Sequence, residues 1–146
     1  MPRTVTSTAS TAWQGDLIGG SGTTTLETSR LGTFPVTWKA RSDEAEGGTT
    51  SPEELLGSAH ATCLTMQLSN MLAENGTPPT SVDTSAAVSF NVGEGGITGI
   101  ELTVTAKIDG IEDADFQRLA QEAKETCPVS QALKGIENIT LTATLS

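Results

Sequence analysis

Thr49-Thr50-Ser51-Pro52-Glu53-Glu54-Leu55-Leu56-Gly57-Ser58-Ala59-His60-Ala61-Thr62-Cys63 carries the strongest structural signal in the chain. Ser51 can cap a helix, Pro52 suits the first helical position, and Glu54 completes a Ser-x-x-Glu capping box. The spacing predicts a helix from about Pro52 to about Leu72. Its apolar and small residues include Leu55, Leu56, Ala59, Ala61, Cys63, Leu64, Met66, Leu68, Met71 and Leu72. They wrap more than one narrow stripe, so this helix belongs in a core, with a second subunit as one way of covering part of it. Gly76 stops the helix and Pro78-Pro79 prevent a restart.

Downstream of this helix, two strands alternate cleanly. Val82, Thr84, Ala86, Val88, Phe90 and Val92 form the first, and Ile100, Leu102, Val104, Ala106 and Ile108 the second. Gly93-Glu94-Gly95-Gly96 joins them as a hairpin loop. A second helix is predicted from about Asp113 to about Glu125, where Phe116, Leu119, Ala120 and Ala123 follow helical spacing. Pro128 interrupts it, and a short helix restarts there and ends by Gly135. Ile139, Leu141, Ala143 and Leu145 alternate with Thr140, Thr142 and Thr144 as a last strand.

Upstream, Thr4 to Trp13 and Thr23 to Ser29 read as Thr-rich strands, with Gly19-Gly20-Ser21-Gly22 as a turn. Phe34, Val36, Trp38 and Ala40 alternate with Pro35, Thr37, Lys39 and Arg41. That predicts a third strand with Arg41 at its end on the polar face. Strands next to strands mean antiparallel pairing, and the class is α+β rather than a doubly wound sheet.

The chain has 146 residues, enough for one domain over residues 1–146 with its own core. A net charge of -10 repels phosphate backbones and anionic membrane surfaces, and 3% aromatic residues leave few platforms for base stacking. Neither nucleic acid nor a membrane is expected as a partner. Met1-Pro2-Arg3-Thr4-Val5-Thr6-Ser7 has no apolar stretch of a secretion signal, and no run is long enough to cross a bilayer. The expectation is a cytoplasmic protein, in which Asn75-Gly76-Thr77 and Asn138-Ile139-Thr140 match the glycosylation pattern by accident.

Two Cys and one His carry the possible chemistry. Three such side chains without ligand spacing do not suggest a metal site. Cys63 sits midway along the first long helix, where a free Cys can equally be core filling. As a nucleophile it needs a nearby cation, because the helix N-terminus is too distant; Arg41 is a candidate. Cys127 immediately precedes Pro128 and can occupy the N-cap of the short helix. Unpaired backbone N–H groups there favour a thiolate, so on local grounds Cys127 is the more reactive of the two. Glu53 and Glu54 stand in a first helical turn, where carboxylates are favourable in any protein. Glu54 reads as a cap, and Glu53 can hold an Arg by a bidentate pair. His60, one turn before Cys63, reads as a core or interface histidine, or as the base of a Cys–His pair.

The segment Thr49 to Cys63 resembles the signature of the OsmC/Ohr peroxidases, and Cys127-Pro128-Val129-Ser130-Gln131-Ala132-Leu133-Lys134 resembles their second-cysteine motif. Ala59-His60-Ala61, Pro128-Val129-Ser130-Gln131 and Trp13-Gln14-Gly15-Asp16 are similar to the OsmC branch. The resemblance implies an OsmC-like fold of antiparallel sheets with long central helices in an intertwined homodimer. It implies that Cys63 is the peroxidatic cysteine and Cys127 the resolving one, which reverses the local ranking. It implies that Arg41 stabilises the thiolate and that Glu53 orients Arg41, with Arg30 and Arg3 less well placed. The implied substrate is an organic hydroperoxide and the implied reductant an external, lipoyl-type dithiol, with no cofactor and no metal. Two other readings stand beside it. One is a dimeric binding module for a small apolar ligand with structural cysteines. The other is a cysteine hydrolase using Cys63 and His60.

Overall fold

The computed structural model describes residues 3–43 and 47–146; Met1 and Pro2, the start of the segment read above for a secretion signal, lie outside them. The chain divides into two compact units, Met1–Pro52 and Glu53–Ser146.

In the first unit, β1 (Ala9–Gln14), β2 (Ser21–Leu26) and β3 (Thr33–Val36) form an antiparallel meander with β2 in the middle. Thr side chains pair across it, Thr11 with Thr24 at 3.1 Å and Thr25 with Thr33 at 2.9 Å. The first turn falls slightly earlier than the glycine run suggests, so Ser21 and Gly22 already belong to β2. Gly20 has a steric reason. A Cβ there would stand 2.2 Å from the Asp16 carbonyl and 2.8 Å from Trp13 Nε1. Trp13 Nε1 itself closes the turn by donating to the Gly15 and Asp16 carbonyls at 3.1 and 3.2 Å.

The third strand is shorter than its alternation predicts. It stops at Val36, and Trp38–Ser42 forms a short helix, α1. Local hydrogen bonds decide the outcome, as they often do for Ser and Thr. Thr37 takes an extended conformation and its Oγ1 accepts from the Ala40 N–H at 3.2 Å, which makes it an N-cap. Ser42 Oγ donates to the Trp38 carbonyl at 2.9 Å. Arg41 therefore sits in the last turn of α1 rather than at a strand end, where a cation complements the helix dipole.

The second unit is one sheet with helices on one face. The first long helix is α2 (Pro52–Glu74), starting where the Pro signal puts it. It ends in a Schellman motif: Thr77 N–H bonds the Leu72 carbonyl and Gly76 N–H the Ala73 carbonyl, both at 3.0 Å, with Gly76 at φ 82°. The strands β4 (Ser81–Asn91) and β5 (Gly96–Lys107) form the expected antiparallel hairpin. Next come α3 (Asp113–Thr126), α4 (Pro128–Ala132) and β6 (Ile139–Leu145). β6 pairs with β5 in parallel, which departs from the wholly antiparallel sheets expected. The long β5–β6 connection through two helices returns the chain to the end at which β5 began, which a tight hairpin cannot do.

Alternation governs the sheet. The core is built from Leu64, Leu68 and Leu72 of α2, Ile100, Leu102, Val104 and Ala106 of β5, and Phe116, Leu119, Ala120 and Ala123 of α3. Outward positions such as Ser85, Thr103, Thr105, Thr140 and Thr142 are exposed. Each fully buried Leu or Phe contributes roughly 1.5–3 kcal/mol. Gly57 lets α2 approach β4, since a Cβ there would lie 3.1 Å from the Ala86 carbonyl. The buried stripe of α2 is Glu53, Gly57, His60, Leu64, Leu68 and Leu72. It is a single stripe, narrower than the apolar composition predicts. A sheet covers only one side of a helix, and Met66, on another side, is 69% exposed.

Candidate active site

Pro128 builds the site. The residue before a proline is steered away from helical geometry, and Cys127 sits at φ -62°, ψ 136°. It ends α3, its N–H bonding the Ala123 carbonyl at 2.9 Å, and it begins α4 as the N-cap. This is the N-cap position anticipated from Cys127-Pro128. Sγ of Cys127 is fully buried, accepts from the Ser130 N–H at 3.4 Å, and donates its S–H to Ser130 Oγ at 3.2 Å.

Cys63 comes from the middle of α2 and is half-buried. Its thiol lies close enough to the Cys127 thiol and to the backbone N–H of Val129 in α4 for both to bear on its ionisation. The two sulfurs, separated by half the sequence, are thus neighbours, and both are free thiols. Burial pushes the Cys63 thiol above its ordinary pKa; the Val129 N–H works against that, and the neighbouring Cys127 adds to it. Within these surroundings Cys63 is held as a thiol. A nucleophilic role requires a positive charge to overcome the burial.

His60 lies one turn before Cys63, fully buried, with Nε2 2.7 Å from Ser130 Oγ. Burial lowers its pKa, so the ring is neutral at pH 7. It makes no hydrogen bond to Cys63, so the Cys–His nucleophile pair lacks its contact. Ser130 belongs to the second motif, and the motif alone implies no role for it. The signal that could have found it is its place three residues after an N-cap, where a side chain turns back toward the cap. Arg41 lies in α1 of the first unit. Glu53 lies in the first turn of α2 and is buried. Among the described residues no group of three or more His, Cys, Asp or Glu could hold a metal ion, and no described helix is long and apolar enough to cross a membrane.

Residues 45–142 match the family model described as OsmC-like protein. The chain belongs to the OsmC-like family. It is 44% identical over 124 residues to Peroxiredoxin OsmC of Escherichia coli, covering 84% of this chain and 85% of that protein. It is 29% identical over 99 residues to an organic hydroperoxide resistance protein of Xanthomonas axonopodis pv. citri, covering 67% of this chain and 69% of the other. The OsmC fold is also evident from the crystal structure of an OsmC-like protein from Mycoplasma pneumoniae. The TM-score is 0.73 at 16% identity, with 97% of each chain covered. The OsmC-type motifs of the sequence, Thr49 to Cys63 and Cys127 to Lys134, carry the two neighbouring thiols.

Proposed function

We propose that this chain is a cysteine-based peroxidase that reduces organic hydroperoxides to alcohols, with Cys63 as the peroxidatic and Cys127 as the resolving cysteine. The observation that carries the reading is the nearness of these two free thiols in a chain of the OsmC-like family. The names of its relatives, a peroxiredoxin and an organic hydroperoxide resistance protein, support the same chemistry.

The Cys63 thiolate attacks one peroxide oxygen, the O–O bond breaks, and the alkoxide leaves as alcohol after taking a proton. Cys63 becomes a sulfenic acid. Cys127 attacks that sulfur, the S–O bond breaks, and a disulfide and water result. An external dithiol of lipoyl type reduces the disulfide by exchange. Arg41 supplies the positive charge that offsets the burial of Cys63 and the charge of the leaving alkoxide, and Glu53 orients Arg41. No metal or cofactor takes part.

Residues 1–146 act as one OsmC-like domain of a cytoplasmic homodimer. Support for the dimer comes from apolar side chains that one chain leaves in water. Ile18 is 82% exposed, Leu31 80% and Met66 69%. A second copy would cover the outer side of α2 around Met66.

Peroxide consumption with a dithiol reductant tests the assignment. Cys63→Ser abolishes turnover. Cys127→Ser allows one turnover and leaves Cys63 open to further oxidation. In the parent protein, one equivalent of hydroperoxide lowers the intact mass by the hydrogens lost to the disulfide. Turnover that survives both substitutions would remove the basis of this mechanism.

A further inference from the structure

Cys127 does not end its polar contacts at Cys63. Its S–H donates to Ser130 Oγ at 3.2 Å, and the same oxygen lies 2.7 Å from His60 Nε2. A hydroxyl has one hydrogen and two lone pairs. While it accepts from the thiol, its own hydrogen is free to point at His60. All three side chains are buried, with Cys127 and His60 fully so. The imidazole is the far end of a continuous S–H, O–H, N line that starts at the resolving sulfur.

We propose that Ser130 and His60 form a proton relay for Cys127, so that this pair controls the rate at which the disulfide closes. The inference rests on the thiol-peroxidase reading and adds to it a base for its second step. As Cys127 Sγ attacks the Cys63 sulfenic acid, the S–S bond forms and the S–O bond breaks. The proton of Cys127 passes to Ser130 Oγ while the hydroxyl hydrogen of Ser130 passes to His60 Nε2. The departing hydroxide takes a proton from solvent and leaves as water. When the external dithiol attacks Cys63 Sγ, Cys127 is expelled as a thiolate, and the relay runs backward to reprotonate it.

Two further observations fit. The relay needs Nε2 as the acceptor, which puts the ring hydrogen on Nδ1. That atom is buried and has no hydrogen-bond partner among the described residues. An unsatisfied buried group calls for a reason, and a histidine kept only for packing has none. Burial also keeps the ring neutral at rest, so the Nε2 lone pair is open to the Ser130 hydrogen. His60 touches no reacting atom and acts through Ser130, so it is a positioning residue; Ser130 contacts the attacking sulfur directly.

Rapid-mixing kinetics on the full chain with an organic hydroperoxide separate the two steps, with a sulfenic-acid trap reading the first and intact mass the second. Ser130→Ala and His60→Gln are expected to leave sulfenic-acid formation at the parent rate and to slow closure at least ten-fold, so that trapped Cys63 accumulates. His60→Gln retains a hydrogen-bonding side chain but cannot take up a proton, and Ser130→Thr, which keeps the hydroxyl, should restore closure. Closure at the parent rate in both Ser130→Ala and His60→Gln overturns the relay. Equal slowing of both steps overturns it too, since the residues then serve only packing. Closure at the parent rate in His60→Gln alone does the same, because a hydrogen bond without proton transfer is then enough. None of these outcomes touches the peroxidase reading, which fails separately if the parent protein forms no Cys63 sulfenic acid.

Discussion

His60 and Ser130, joined by a 2.7 Å hydrogen bond, tie the middle of α2 to the first turn of α4. The bond fixes the short helix that carries Cys127 against the long helix that carries Cys63. It also buries an ionisable ring, and that has a consequence for stability. The folded pKa of His60 is lowered below 6.5 by burial, so the unfolded chain binds more protons as pH falls. Its contribution is fully present above pH 6.5 and is lost as pH falls through the folded value. The slope for one group is at most about 1.4 kcal/mol per pH unit. Urea unfolding at pH 7 and pH 5.5 should show the parent losing stability and His60→Gln losing less over the same interval. Parallel losses in both proteins would mean that His60 ionisation does not govern that interval.

Gly57 lies in the buried stripe of α2, facing β4. A Cβ there would lie 3.1 Å from the Ala86 carbonyl oxygen and 3.5 Å from Val88 Cγ2. The first neighbour is backbone of a paired strand and cannot turn aside. Any side chain longer than a methyl must push α2 off the sheet. Gly57→Leu is expected to cost about 1–3 kcal/mol by overpacking, even though Leu favours a helix over Gly by nearly 1 kcal/mol. Chemical denaturation measures the difference, and a stability equal to the parent's would mean the helix can retreat at little cost.

Phe116 is fully buried between α3 and the sheet, with Leu102 and Val104 of β5 in the same cluster. Truncation leaves a cavity that a strand held in two ladders cannot collapse into. Phe116→Ala should destabilise by about 3–5 kcal/mol. Thr103→Ala, on the exposed face of β5, should stay within about 0.5 kcal/mol of the parent. Thermal unfolding of the two variants tests whether this face of the sheet is the core.

Most of the fold is written in short-range patterns. The β4 and β5 alternation, the Gly76 stop and the Pro128 break each rest on a local rule with no strong competitor, and each element stands where its rule puts it. The failures have a common cause. Alternation from Phe34 to Arg41 was overruled by Thr37 and Ser42 hydrogen bonds at the next turn, and the direction of β6 depends on where the helices of its connection return the chain. The site shows the same division. Cys127 at an N-cap follows from Cys-Pro, but its meeting with Cys63 is tertiary and came only through family resemblance. Ser130 is not legible in the sequence, because a lone Ser after an N-cap is common and what distinguishes it is His60, far away in sequence.

The environment of Cys63 poses the sharpest question for the proposed chemistry. Its pKa is raised above 9.0, first by burial, with the Val129 N–H as the next largest influence pulling it down and Cys127 adding to the rise. A thiol so placed is almost wholly protonated at pH 7 and a poor nucleophile. The assigned role of Arg41 is to reverse this. Removing the guanidinium should therefore leave burial opposed by the Val129 N–H alone. Arg41→Ala is expected to move the pH dependence of peroxide attack upward by about 1–3 units and to slow attack most at neutral pH. Arg41→Lys should recover part of the rate, since it keeps the charge but loses the planar fork that Glu53 is proposed to hold. Glu53→Gln should resemble a weaker form of Arg41→Ala. Rates of Cys63 oxidation followed from pH 6 to pH 10 give the profile directly. A profile unchanged by Arg41→Ala would assign the activating charge to another group and leave the neighbouring thiols without this partner.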